Sequence, residues 1–251
     1  MKHKYFKNSL FLLGLILFTN LSFSQGSEDF TNSNATSSYG DNSFTGNDGF
    51  TWSFVESRDE NGDANGAGIS GDALMLRRST EPSSLIALTI PGGIGNFSIT
   101  LYKGFTGSGN RQVELFINDV SKGTSLAFDD TDDKDKYVFT VNNINITGTF
   151  KLEIRNITSK QVIIDDLVWT GYTTPVVWSG ATDNDWDTDS NWVGGSKPGS
   201  SADVSIPNGL TNYPTAATTV TVNSVTINSG ASLIAQNAFT GNVIYNRNLG
   251  T

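Results

Sequence analysis

The residue types that usually carry chemistry are scarce in this chain. Histidine occurs once, as His3, and cysteine not at all. His3 falls within the leader described below, so the exported part holds neither type. That excludes a Ser-His-Asp triad, a thiol nucleophile, a His-ligated zinc site and a disulfide framework. Carboxylates remain. Asp183, Asp185, Asp187 and Asp189 have the spacing that opens an EF-hand loop, whose hard oxygens hold Ca²⁺. The match then fails, because Thr188 stands where the loop needs glycine and Gly194 where it needs glutamate. This stretch reads as a solvated acidic turn between structural tryptophans. Two carboxyls can also cleave a glycoside, but only at a set separation inside a cleft. Asp-rich turns between short strands provide no evident cleft, and the expectation is that the chain is not an enzyme.

The N-terminus settles where such a chain works. Lys2, Lys4 and Lys7 precede an apolar run from Leu10 to Phe18, followed by Ser22-Phe23-Ser24-Gln25. This is the order of a secretory signal peptide over residues 1–25. The run is too short for a membrane anchor, which takes about 20 residues, and no later segment is long and apolar enough to span. The formal charge of −9 becomes more negative once the three leader lysines are removed. No basic stripe is left to track a nucleic-acid backbone.

The elements that would position any site are strands. In Asn96–Tyr102, Phe97, Ile99 and Leu101 alternate with Ser98, Thr100 and Tyr102. Val113, Leu115 and Ile117 repeat the pattern, as do Tyr137, Phe139 and Val141, then Leu152 and Ile154. Phe50–Glu56, Leu74–Arg77, Ser84–Ile90 and Gln161–Trp169 complete the set. Period two with Gly, Asn and Asp between runs, and no helical periodicity, argues an all-β antiparallel sandwich over residues 26–172. About nine strands fit a jelly roll better than a seven-stranded immunoglobulin-like fold.

Thr173-Thr174-Pro175 form a linker to a different texture over residues 176–251. Trp178, Trp186 and Trp192 are spaced tryptophans, expected in a core because a small module without disulfides needs large apolar area. Val220 and Val222, then Val225 and Ile227, alternate with small polar residues before an Asn-Ser-Gly corner. Such short strands suit the start of a β-solenoid. One or two uncapped coils would leave an open edge, so the expectation is that the chain continues beyond Thr251 in a longer protein.

These stretches resemble known domains. Phe54–Glu60, Ala73–Arg77, Gly92–Ser98, Lys103–Leu115 and Ile163–Trp169 resemble a jelly-roll, carbohydrate-binding-module-like domain of secreted Bacteroidetes proteins. Trp178 to Trp192 is similar to the Trp-rich opening of repeats in type IX-secreted surface proteins, although their terminal sorting domain is absent here. The resemblance implies a non-catalytic, secreted or surface-held monomer that binds extracellular polysaccharide or cell-surface glycan. Alternatives are an adhesin spacer, or an accessory domain of a larger secreted hydrolase or nuclease. It also implies that the first and last strands lie side by side, where Glu28, Asp29, Asp165 and Asp166 could hold a structural Ca²⁺. Neighbouring side chains on a strand face opposite ways, so only one of Asp165 and Asp166 would be a ligand. For sugar contact the candidates are Trp52, Arg58, Arg77, Tyr102, Phe105 and Arg111: aromatic faces for stacking, guanidinium groups for hydroxyls. Tyr102 lies opposite the apolar face of its strand and is expected to point outward. An arginine buried against Glu60 or Glu114 would instead be structural.

Overall fold

A computed structural model describes residues 25–60, 69, 71–80, 82–105, 107–129 and 135–245. The leader and the residues after Tyr245, on which the expectations of a signal peptide and of an unfinished solenoid rest, lie outside these. No α-helix occurs among the described residues.

Eleven strands form the first sheet system. They are β1 (Gly26–Glu28), β2 (Gly40–Thr45), β3 (Thr51–Asp59), β4 (Leu74–Leu76), β5 (Ser84–Ile90) and β6 (Phe97–Lys103), followed by β7 (Val113–Ile117), β8 (Val120–Thr124), β9 (Lys136–Val141), β10 (Phe150–Asn156) and β11 (Val162–Trp169). All pairs are antiparallel, in the order β8-β7-β10-β5-β3-β4-β11-β6-β9, with β1 on β11 and β2 on β3. The ladder folds over on itself because β3 belongs to both halves. Its residues Trp52–Val55 pair with β5, whereas Ser57–Asp59 pair with β4. Glu56, between them, has φ +44°, the kind of irregularity that bends a strand and strengthens its twist. Alternation then aims Phe54, Leu85, Leu115 and Leu152 from one half at Leu76, Ile99, Leu101 and Ile164 from the other, in one buried core. This is the expected jelly-roll sandwich.

The β1–β11 seam depends on one glycine. A Cβ on Gly26 would run into the Trp169 ring, so only glycine lets the indole approach the β1 backbone this closely. Outside the core, the far face of β4, β11 and β6 carries a second small apolar layer: Met75, Ile163 and Tyr102, packed with Ile69 and Ala73.

The later strands are β12 (Val176–Val177), β13 (Asp203–Ile206), β14 (Thr215–Ala216), β15 (Val220–Ile227), β16 (Ile234–Ala235) and β17 (Phe239–Tyr245). Here the pairing is parallel, β12-β13-β15-β17 in one stack and β14 on β16 in another. Val204, Val225 and Val243 stand in register, as do Ile206, Ile227 and Tyr245. In-register columns of like residues in parallel strands make this a solenoid-like stack. Its core is closed by Trp178, Trp186 and Trp192, whose rings meet edge to face at 4.9 and 4.7 Å. The acidic turn between them ties itself up. Asp183 Oδ1 accepts from Asp185 N and Asn191 Nδ2, Asp185 Oδ1 from Asp187 N, and Asp189 Oδ1 from Lys197 N.

Candidate functional site

Three of the sequence-expected contact residues come together on the outer face of β3 and β4, and a fourth, Tyr39, joins them from the β1–β2 connection. Arg58, on the second half of β3, places its guanidinium carbon 5.8 Å from the Tyr39 ring centre and 5.6 Å from that of Phe105. Arg77, just past β4, places its guanidinium carbon 4.9 Å from the Tyr39 ring centre. Such spacings are within cation–π range. Each guanidinium is also fixed by a carboxylate: Arg77 Nη1 lies 2.5 Å from Glu56 Oε2, and Arg58 Nη2 lies 3.6 Å from Glu60 Oε2. The first is a hydrogen bond, while the second is an ion pair only, and that Glu60 oxygen has no hydrogen-bond partner among the described residues. Burial pushes the Glu60 carboxyl up against the opposing pull of Arg58.

The floor of this surface is the small apolar layer. Tyr39 is half-buried on it and donates its hydroxyl to Met75 Sδ at 3.2 Å. Burial holds its phenol above the ordinary value, with Arg58 and Arg77 pulling the other way. Phe105, by contrast, is 41% exposed, at φ +58° in the β6–β7 connection. The patch therefore offers one exposed ring, one half-exposed ring, two fixed guanidinium groups and two carboxylates. Stacking faces beside oriented charged hydrogen-bonding groups are the chemistry that recognises a sugar ring and its hydroxyls.

The remaining candidates fall elsewhere. Tyr102 does lie opposite the Phe97-Ile99-Leu101 face, but it is only 4% exposed, because Ile69, Ala73, Met75 and Ile163 cover it. It supports the site from below and cannot stack on a ligand. Trp52 is fully buried in the sandwich core, edge-on to Trp169 at 6.0 Å, with Nε1 donating to Asp48. Arg111 is fully buried too. Its carboxylate partner is Asp129, at 3.1 Å, rather than Glu60 or Glu114. In both cases the sequence carried the residue type but not the cover placed over it.

The calcium quartet is brought near the β1–β11 seam without becoming a site. Glu28 is buried, and its oxygens accept from Phe30 N (2.7 Å) and Asn47 N (2.9 Å). Asp29 Oδ1 takes Thr31 N, Thr31 Oγ1 and Asn47 Nδ2. Asp166, at φ +46°, bulges into solvent, whereas Asp165 is buried and accepts from Asp166 N at 2.8 Å. Among the described residues no three acidic or other metal-ligating side chains gather. Glu28 gives both carboxylate oxygens to backbone N–H groups, and Asp29 and Asp165 give one each. Asp165 is left with a carboxyl pushed up to about 7 by burial first, and then by Asp166, Asp29 and Asp72.

A groove of about 400 Å³ opens on the opposite half of the sandwich, lined by Val55, Ser84, Glu153, Arg155 and Asn156 among others. Its polar groups serve each other. Arg155 makes two bonds to Glu153, at 2.6 and 3.0 Å, and lies 4.0 Å from the centre of the Phe116 ring. Among the described residues no aromatic side chain lines the groove. The Tyr39–Phe105 surface is the better candidate.

No family model matches the chain, and no curated protein matches it either. Solved structures do. A family 6 carbohydrate-binding module is 14% identical over 60% of this chain and 95% of its own, with a TM-score of 0.37. A family 36 module of a multidomain xylanase from the hindgut metagenome of Trinervitermes trinervoides is 15% identical over 60% of this chain and all of its own, with a TM-score of 0.33. The K3 adhesin domain of the Lys-gingipain of Porphyromonas gingivalis is 12% identical over 59% of this chain and all of its own, with a TM-score of 0.37. At such identities none of them transfers a ligand to this chain.

Proposed function

We propose that this chain is a non-catalytic, exported carbohydrate-binding protein that holds a polysaccharide against Tyr39, Arg58, Arg77 and Phe105. One observation carries the reading: Arg58 sits between two aromatic rings, with its neighbours Arg77, Glu56 and Glu60 fixed around it. A sugar packs an apolar face on a ring and needs both donors and acceptors at its rim. The guanidinium groups supply only donors and the carboxylates only acceptors, so this surface has both. The jelly-roll sandwich, residues 26–172 in this reading, is the scaffold, and residues 176–251 form a separate stacked module. Export follows from the leader grammar of residues 1–25.

The test is a glycan array followed by titration of the strongest oligosaccharide. Phe105→Ala and Tyr39→Ala should each weaken binding roughly five- to tenfold. Leu88→Ala, an exposed apolar change on β5, should leave it unchanged. Full binding by both aromatic variants would place the ligand elsewhere. No binding to any glycan would favour the spacer reading.

A further inference from the structure

We propose that Arg111 is a positioning residue of the glycan surface: a buried guanidinium that sets the Phe105 ring. This rests on the reading of that surface given above. Arg111 is wholly buried, and its bonds are unusual in going almost entirely to backbone carbonyls of one loop. Nη2 donates to the carbonyls of Gly104 (3.0 Å), Phe105 (3.3 Å) and Gly107 (2.8 Å), and Nη1 to that of Gly109 (2.5 Å). A guanidinium presents its N–H groups in a fixed planar fork. Four carbonyls reach that fork only if the chain curls around it.

The curl explains the local sequence. Gly109 has φ +118°, which glycine tolerates, but Phe105 has φ +58°, which a bulky residue adopts only when held there. Its carbonyl is one of the four in the fork. Asp129 locks the opposite end, accepting from Arg111 Nη1 at 3.1 Å and from Gly109 N at 2.6 Å, with Lys103 Nζ at 3.3 Å. The Gly109 N–H, then Lys103 and Arg111, keep the Asp129 carboxyl below its usual range. The same guanidinium also reaches the chain that enters β11. Its Nε donates to the carbonyl of Gln161 at 3.3 Å. One buried side chain thus ties the Phe105 loop to that chain. Preorganising a binding surface in this way raises affinity by removing the cost of ordering it on binding.

The purified protein would be labelled with 4-fluorophenylalanine at position 105 or, as a control, at position 116, and its fluorine spectrum recorded with Arg111 and with Arg111→Lys. Lysine keeps the charge beside Asp129 but cannot span four carbonyls. The expected result is a shifted, broadened signal at position 105 and an unchanged one at position 116. Titration with xylohexaose, cellohexaose and laminarihexaose accompanies it. Arg111→Lys should weaken whichever binds about fivefold, no more than Phe105→Ala does, and adding Phe105→Ala to it should cost no more than Phe105→Ala alone. An unchanged signal at 105 with a lowered melting midpoint would make Arg111 merely structural and overturn the proposal, as would additive losses of affinity. Asp129→Asn, a milder loosening, should move the 105 signal the same way by less, and no movement there also overturns it. If no hexasaccharide binds the parent protein, the glycan reading fails, while the fluorine signals still decide what Arg111 holds.

Discussion

Asp165→Asn should make the protein more stable at pH 8 than its parent and leave the two nearly equal at acid pH. Asp165 is 3% exposed on the outer face of β11, cross-strand from Thr100. Asp166, Asp29 and Asp72 add negative charge around it, and the Tyr102 phenol beside it is raised in turn, by burial and then by Asp165 and Asp166. With a folded value of about 7 against 3.8 unfolded, the native state keeps a proton that the unfolded chain releases. Stability from this group is therefore complete below about pH 4 and is lost as pH rises through 7. Each unit inside that window removes about 1.4 kcal/mol, so the loss from pH 5 to pH 8 is about 2–3 kcal/mol. Asparagine keeps the acceptor for Asp166 N and cannot ionise. Urea unfolding of both proteins at pH 5, 6.5 and 8 measures the difference, in which the other carboxylates cancel. Parallel stability–pH curves would refute a neutral, buried Asp165. So would a parent protein stabilised by added calcium in a way the variant is not, because Asp165 would then be an ionised ligand.

Three further outcomes follow from packing. Chelator should leave the melting midpoint of the parent unchanged, since Glu28 and Asp29 are bonded to N–H and hydroxyl donors; a lowered midpoint would restore the calcium site. Gly26→Ala puts a methyl group into the Trp169 ring and should cost about 1–3 kcal/mol, read as a lowered urea midpoint, whereas an unchanged midpoint would mean that β1 is not docked on β11 as described. Trp192→Ala removes the ring that both Trp178 and Trp186 meet edge-on and should cost about 3–5 kcal/mol. Its effect should appear as loss of slow amide exchange in β13 and β15, with the β6 and β11 amides retained; equal loss in all four strands would show that the two cores unfold as one.

What the sequence disclosed and what it hid divide along a physical line. Val113, Leu115 and Ile117 are all fully buried while Glu114 and Phe116 between them are not, and a strand with one wet face writes that difference directly into period two. The parallel stack was legible for the same reason, its valines and isoleucines recurring at matched registers. Tyr102 lies on the face that alternation assigns it, yet it is buried, because a second apolar layer covers that side of the sheet. One trace of it was present: Val162-Ile163-Ile164 is an unbroken apolar run, the mark of a strand buried on both faces. The strands β1, β2 and β8 carry too few apolar residues to announce themselves, and Tyr39 sits in Thr36-Ser37-Ser38-Tyr39-Gly40, a turn-like stretch with no period at all. Arg111 is the sharpest case. Apart from Asp129, its partners named above are carbonyl oxygens, and every residue type has one, so no spacing of side chains could have named them. Contacts of side chain with side chain leave a pattern in sequence, while those of side chain with backbone leave only the glycines that let the backbone turn.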